Sequence, residues 1–113
     1  MRRNQVLNYQ RLSVNLLQLK SCLSQGFPFV FGFTVYESFR NVSKNGMMPL
    51  PKPNEDVLGG HTVMAVGYDD VKQVFIIQNS WGASWGDHGY FYMPYSFISS
   101  GNARDFWTIR LVE

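Results

Sequence analysis

The segment QNSWGASWGDHGY, residues 78–90, contains an asparagine close to a tryptophan, and it follows GGHTVMAVGYDD, residues 59–70. The earlier segment places a histidine, His61, at the start of an apolar run. An imidazole that serves as a base needs a partner that fixes which ring nitrogen carries the proton, and an asparagine amide oxygen can be that partner. The two segments together therefore indicate a site in which Asn79 orients His61.

Apolar and β-branched runs around these segments predict the strands of one antiparallel sheet. The predicted elements are strands over residues 27–36, 62–68, 74–79, 89–93 and 106–112, with a helical turn over residues 94–97. Five residues join the second and third strands, which therefore predict a hairpin. In the last strand, Trp107, Ile109 and Leu111 alternate with Thr108 and Arg110, which is typical of a half-buried strand.

The stretch between the first and second predicted strands has the composition of an extended surface loop. Residues 41–60 contain three prolines, an Asn-Gly pair and a Gly-Gly pair, and each of these features favours turns over regular structure. We therefore predict that a loop delivers His61 to the site.

One helix is predicted before the strands. Its single apolar stripe consists of leucines spaced four, three and four residues apart, namely Leu12, Leu16, Leu19 and Leu23. Ser13 or Asn15 can cap its start, and Gly26 suits the position after its end. The chain is therefore predicted to be one α+β domain, residues 1–113, in which an N-terminal helix is followed by an antiparallel β half-barrel.

Composition excludes several classes of function. The formal net charge is +2 and the Lys and Arg residues are scattered, so no nucleic-acid surface is predicted. Charged residues interrupt the apolar runs well before the roughly 20 residues that a membrane span needs. The N-terminal residues lack the continuous apolar core of a signal peptide, and the compartment stays open. One cysteine and two histidines give no metal-ligand spacing, and no cofactor is predicted.

The histidine and asparagine segments resemble those of the papain-like cysteine peptidases, and the resemblance extends over residues 9–112. It implies the C-terminal half of a catalytic domain, the right-hand β subdomain of the papain-like fold. By this resemblance, His61 is the general base toward a thiol and Asn79 is its orienting partner. Trp81 is the ring that covers the hydrogen bond between them. The implied substrate is a peptide or a protein.

The same resemblance implies two substrate-binding positions. Gly60, directly before the histidine, corresponds to a residue that lines the cleft and offers its backbone carbonyl to the substrate. Gly32 corresponds to one wall of the pocket for the substrate's second side chain. Two glycines would leave that pocket open to large apolar or aromatic side chains.

The nucleophile of that family has no counterpart in this sequence. No residues match the family's Cys-Gly-Ser-Cys-Trp-like segment or its oxyanion-hole glutamine. Cys22, the only cysteine, falls in the last turns of the predicted helix, where the negative end of the helix dipole disfavours a thiolate. We interpret Cys22 as a packing residue, and we expect the nucleophile to come from the missing N-terminal half of the domain.

Two functions are compatible with these features. In the first, the chain is the C-terminal part of a cysteine-type endopeptidase that hydrolyses peptide bonds, and it is inactive alone. In the second, it is a non-catalytic remnant that binds a protein, a peptide or a separately made N-terminal half. Because the two halves of that family's domain bury a face against each other, we expect the isolated chain to expose an apolar patch near His61, Trp81 and Trp85. It should then self-associate or be poorly soluble.

Overall fold

A six-stranded antiparallel sheet forms the body of the molecule. The computed structural model describes residues 6–112 and, within them, the side chains of residues 8–108. In chain order the elements are β1 (Val6–Leu12), α1 (Leu16–Ser24), β2 (Phe29–Tyr36), a 3₁₀ helix (Glu37–Asn41), β3 (Val57–Asp69), β4 (Val74–Gln78), β5 (Tyr90–Pro94), α2 (Tyr95–Ile98) and β6 (Ala103–Val112). The strands are hydrogen-bonded in the order β1-β6-β2-β3-β4-β5, so the sheet is open. The predicted α+β class with an antiparallel sheet is confirmed.

The helix α1 begins at Leu16, four residues after the first leucine of the predicted stripe. Of the two predicted caps, Asn15 is the one used, because its side-chain oxygen accepts from the Gln18 N–H at 3.2 Å. The helix ends at Ser24, and Gly26 follows with a positive φ of 89°. Among residues 6–112, neither helix has the length and apolar character needed to cross a membrane.

The strand β1 is absent from the sequence prediction. It pairs along its whole length with β6, from Val6 opposite Val112 to Leu12 opposite Phe106. Leu12 therefore ends a strand instead of starting the helix. The sequence VLNYQRL has no clear period of two, and its partner lies at the far end of the chain, so no local pattern indicates the pairing.

The strand β3 is longer than predicted and takes up the last part of the predicted loop. It begins at Val57, so Gly60 and His61 lie in a strand, opposite Thr34 and Phe33 of β2. Backbone pairing with a distant strand overrides the local turn signal of the glycines. A strand paired with β2, rather than a loop, therefore holds His61.

Phenylalanines of β2 form the centre of the core. Phe29, Phe31 and Phe33 alternate onto one face and are almost fully buried. Val63 and Ala65 of β3 lie beside Phe31 and Phe29 and are buried on the same face. Both helices and the apolar side chains of β4 and β5 pack on this face, so the residues that alternate with these, such as Val30 of β2 and Thr62 of β3, point to the other side of the sheet.

The strand β6 buries the face opposite to the predicted one. Phe106 and Thr108 are buried, whereas Trp107 is half-buried. The Thr108 hydroxyl donates to the Pro28 carbonyl at 2.9 Å, which satisfies the polar group that Thr108 brings into the core. Three members of the predicted pattern lie outside the described side chains, namely Ile109, Arg110 and Leu111.

Candidate active site

The imidazole of His61 and the carboxamide of Asn79 are in hydrogen-bond contact. His61 lies in β3, and Asn79 directly follows β4, the neighbouring strand. The distance from His61 Nε2 to Asn79 Oδ1 is 2.8 Å. The Asn79 backbone N–H donates to the Gly89 carbonyl at 3.0 Å, which anchors the end of β4. The fold thus brings together the two residues that were predicted to interact.

A second hydrogen bond determines the direction of the first. The Ser80 backbone N–H lies 2.8 Å from Asn79 Oδ1. Because a backbone N–H can only donate, the carboxamide atom that faces it must be the oxygen. The same oxygen then accepts from His61, so Nε2 carries the imidazole proton. His61 Nδ1 is left as the basic nitrogen.

The other end of the Asn79 side chain is buried and unsatisfied. Asn79 is 8% exposed, and its Nδ2 has no hydrogen-bond partner among the described residues. A buried amide N–H without an acceptor costs about 1–3 kcal/mol. A carbonyl from outside this part of the chain would remove that cost.

Aromatic rings flank the imidazole. Trp81 stacks on His61 with ring centroids 5.0 Å apart and an interplanar angle of 26°. Phe33 contacts the imidazole edge-on at 6.0 Å. Trp81 itself leans on Trp85 and Phe39, at centroid distances of 5.1 and 5.7 Å. The indole of Trp81 therefore lies over the ring whose Nε2 bonds to Asn79, which is the position expected for a residue that covers this bond.

The turn that carries both indoles, residues 80–89, is closed by backbone hydrogen bonds. The Gly89 N–H donates to the Trp85 carbonyl at 2.8 Å, and Asp87 and Tyr90 exchange both of their backbone bonds at 2.9 and 3.0 Å. The position of the Trp81 ring therefore depends on a short, internally bonded turn.

A cleft of about 460 Å³ opens beside His61 on the Trp81 side. Its walls include Val35, Phe39, Leu58 and Trp85, and Gly60 and Arg40 lie at its edge. Within the described part of the chain, no group of three or more His, Cys, Asp or Glu side chains is placed to hold a metal ion. The cleft thus places the imidazole of His61 beside apolar walls and one guanidinium, that of Arg40.

Gly32 does not line this cleft. It alternates with the buried phenylalanines of β2 and lies opposite Thr62 of β3. A hollow of about 320 Å³ on that side of the sheet is lined by Thr62, Met64 and Asn79. A Cβ on Gly32 would meet only backbone oxygens at 3.9 Å. Gly60 and Gly32 thus belong to different sides of the His61 to Asn79 pair.

Cys22 lies in the apolar core and not in the cleft. It is 3% exposed, and its thiol donates to the Phe27 carbonyl at 3.3 Å. It packs in the same cluster as Leu19 and the core phenylalanines. The structure therefore does not bring a thiol of this chain to His61.

We predict that Cys22 is unreactive in the folded chain. An aromatic disulfide reagent should modify it slowly under native conditions and stoichiometrically in denaturant, because burial blocks access to the sulfur. An epoxide inhibitor of thiol proteases should leave it unlabelled, as measured by intact mass. Stoichiometric epoxide labelling that is lost in His61→Ala would contradict this assignment.

Glu55 attaches the long loop to the 3₁₀ helix at the edge of the cleft. Its carboxylate accepts from the Ser38 N–H, and from the Lys52 N–H at 2.9 Å. Hydrogen bonds from Ser38, and then from the Lys52 backbone, hold the pKa of Glu55 below its ordinary value. The same 3₁₀ helix carries Phe39 and Arg40 into the cleft.

The Glu55 contact should stabilise the fold only while the carboxylate is charged. Because its pKa is lowered on folding, its contribution is complete above the ordinary glutamate pKa and is lost as pH falls through the lowered value. Glu55→Gln should therefore be less stable than the parent near neutral pH, and the difference should shrink in acid. Urea titrations at several pH values measure it, with Glu37→Gln as the exposed control. A difference that is independent of pH would contradict the role of the charge.

Several residues at the site were not predicted from the sequence. Phe33 and Phe39 contact the imidazole or its covering indole, and Leu58 and Arg40 line the cleft. The only sequence signal for Phe33 is the period of two in β2. No local signal marks the other three, because strand pairing and the 3₁₀ helix bring them to the site.

Comparisons with known proteins give a consistent result. A sequence model described as papain family cysteine protease matches residues 2–105. An uncharacterised peptidase C1-like protein of Acanthamoeba polyphaga mimivirus is 48% identical over 97 residues, which are 83% of this chain and 31% of that protein. Pro-cathepsin H of Medicago truncatula is 36% identical over 78 residues, 67% of this chain and 22% of that protein.

A solved structure extends the similarity to the fold. The crystal structure of xylellain, a cysteine protease from Xylella fastidiosa, superimposes with a TM-score of 0.88 at 48% identity. The match covers 94% of this chain and 40% of xylellain. The chain therefore spans well under half the length of each of these relatives.

Proposed function

The chain belongs to the papain family of cysteine proteases, and from that premise we propose that it supplies the base and the orienting amide of a cysteine peptidase active site. The observation that carries the proposal is the 2.8 Å hydrogen bond between His61 Nε2 and Asn79 Oδ1. That bond leaves Nδ1 free to take a proton from a thiol. The thiol is provided by the N-terminal half of the catalytic domain.

In the proposed reaction, His61 Nδ1 takes the proton of the thiol, and the thiolate attacks the carbonyl carbon of the scissile peptide bond. The imidazolium then gives that proton to the leaving amine, the C–N bond breaks, and an acyl thioester remains. Water attacks the thioester while His61 takes its proton, which releases the acid and regenerates the thiol. Asn79 keeps the imidazole in one tautomer through both halves of the cycle.

Two glycines are proposed to contact the substrate. The Gly60 carbonyl, at the edge of the cleft, accepts from a substrate backbone N–H. Gly32 leaves room on the other side of the His61 to Asn79 pair for a large apolar side chain of the acyl part. Peptide profiling that shows a strict preference for small side chains at that position would reject the role of Gly32.

A buried amide without an acceptor supports docking of a second segment. Asn79 Nδ2 is buried and has no acceptor among the described residues. We assign it to the interface with the N-terminal half, which offers a carbonyl to Nδ2. Docking then completes the hydrogen bonds of the same amide that orients His61.

A non-catalytic role is the second candidate. It is favoured by one observation, namely that the only thiol of this chain lies in the core. In that role the cleft beside His61 binds a peptide or a protein segment without cleaving it.

Complementation separates the two candidates. The chain is co-expressed with the N-terminal half of the xylellain catalytic domain, and the purified complex is assayed with fluorogenic peptides. We expect hydrolysis by this complemented peptidase, none by either half alone, and none after replacement of the nucleophilic cysteine by serine. A complex that co-purifies in stoichiometric amounts but hydrolyses no peptide would reject the catalytic role and leave the binding role.

A further inference from the structure

We propose that Arg40 makes the cleft beside His61 selective for a carboxylate on the leaving-group side of the substrate, held next to an apolar or aromatic side chain. The inference rests on the proposed function for the direction of the peptide, because His61 must reach the leaving amine to protonate it. The segment that carries this amine therefore enters the cleft that the imidazole borders.

The walls of the cleft set the first part of this preference. Val35, Leu58, Trp81 and Trp85 present aliphatic and aromatic surface around the opening. Leu58 and Trp81 are 44% and 47% exposed, so both have apolar surface available for a ligand. A large apolar side chain removes more of this surface from water than a small one does.

The charge of the cleft sets the second part. Arg40 is the one permanently charged residue among those that line it. The side chain is exposed, and it forms no hydrogen bond or ion pair with any described residue. The nearby Glu55 carboxylate is already occupied by two backbone N–H groups. The guanidinium therefore has donors free for a carboxylate, which it binds in a two-pronged geometry.

The backbone that carries Arg40 is fixed. Phe39, its neighbour, is buried and packs on Trp81. The Glu37 N–H donates to the Asp56 carbonyl at 3.0 Å, and the Val42 N–H donates to the Phe39 carbonyl at 3.2 Å. The backbone of Arg40 therefore has a fixed position beside the cleft. A charge attached at a fixed position can discriminate between ligands.

Two kinds of peptide carry the required carboxylate, an acidic side chain or a free chain terminus. The test therefore uses three peptides that share the sequence Ac-Ala-Phe-X. They end in Glu amide, in Gln with a free carboxylate, and in Gln amide as the neutral reference. Binding to the chain is followed by the NMR shifts of the indole N–H groups. Trp81 and Trp85 report on the cleft. Trp107 of β6, whose ring lies under the guanidinium of Arg11, is the internal control.

We expect at least one acidic peptide to bind about three- to fivefold more tightly than the neutral one, as for a partly exposed charge pair. The preference should vanish in Arg40→Gln and persist in Lys52→Gln, which removes an equal charge nearby but outside the cleft. If only one acidic peptide binds more tightly than the neutral one, the site recognises the kind of carboxylate that this peptide carries. If both acidic peptides bind equally well, the site recognises the negative charge wherever it lies.

Three outcomes would overturn the proposal. The first is equal binding of all three peptides. The second is a preference for the acidic peptides that persists in Arg40→Gln. The third is that the indole N–H shifts are absent or occur only at Trp107. The assay needs no thiol and no turnover. The two tests are therefore independent. If complementation fails, selective binding of the acidic peptides still supports the role of Arg40, and if complementation succeeds, the absence of selective binding still rejects that role.

Discussion

Replacement of His61 by alanine is expected to lower kcat/KM of the complemented peptidase on the order of 10²–10⁴-fold, the range for removal of a general acid-base group. The loss follows from geometry. With Asn79 and Ser80 fixing the proton on Nε2, Nδ1 of this one ring is the atom that serves both the thiol and the leaving amine in the proposed reaction. Initial rates with a fluorogenic peptide measure the loss.

The control for this substitution is the second histidine. His88 is exposed on the turn and pairs with Asp87 at 2.9 Å, so His88→Ala should leave kcat/KM unchanged. Asn79→Ala should give an intermediate loss, because the base remains but its tautomer is no longer fixed. Co-purification must show that each variant still assembles. Full activity of an assembled His61→Ala complex would show that His61 is not the general base of the reaction.

The residues that form the hydrogen-bonded pair were predictable because their signals are local. His61, Asn79 and Trp81 lie within two short segments, and glycines and a second tryptophan mark the turn between them and β5. The apolar runs gave most strands for the same reason, since a period of two is visible within a few residues.

The remaining features depend on contacts between distant parts of the chain. β1 exists because β6 provides a backbone partner, and the early start of β3 reflects pairing of Gly60 with Thr34. The face of β6 was misassigned because a buried threonine looks polar until its acceptor, the Pro28 carbonyl, is known. Arg40 was missed because the 3₁₀ helix brings it to the cleft.

One half of the proposed active site is ordered within this chain alone. The tautomer of His61 depends on Asn79 and Ser80, and the ring position depends on Trp81 and Phe33. All of these groups belong to the described residues. Docking of an N-terminal half therefore needs to bring a thiol, an oxyanion site and an acceptor for Asn79 Nδ2, but it does not need to organise the base.

The largest loss of stability from a single methyl group is expected at Gly86. A Cβ at this position would lie 2.5 Å from the Tyr90 carbonyl oxygen, which accepts the Asp87 N–H at 2.9 Å and closes the indole-bearing turn. The oxygen belongs to the backbone at the start of β5 and cannot move without breaking that bond. Gly86→Ala should therefore destabilise the fold by about 2–4 kcal/mol, from overpacking added to a left-handed backbone.

Gly82→Ala, in the same turn, separates the two causes. Gly82 has φ of 98°, farther from the left-handed region open to L-residues than the 59° of Gly86,. A Cβ on Gly82 would meet nothing within 4 Å. If backbone conformation were the only cause, Gly82→Ala would lose more stability than Gly86→Ala. If the contact with the Tyr90 carbonyl contributes, Gly86→Ala loses more. Urea unfolding followed by tryptophan fluorescence decides between these orders, and a larger loss for Gly82→Ala would show that the contact with the Tyr90 carbonyl is not the main cause of the Gly86→Ala loss.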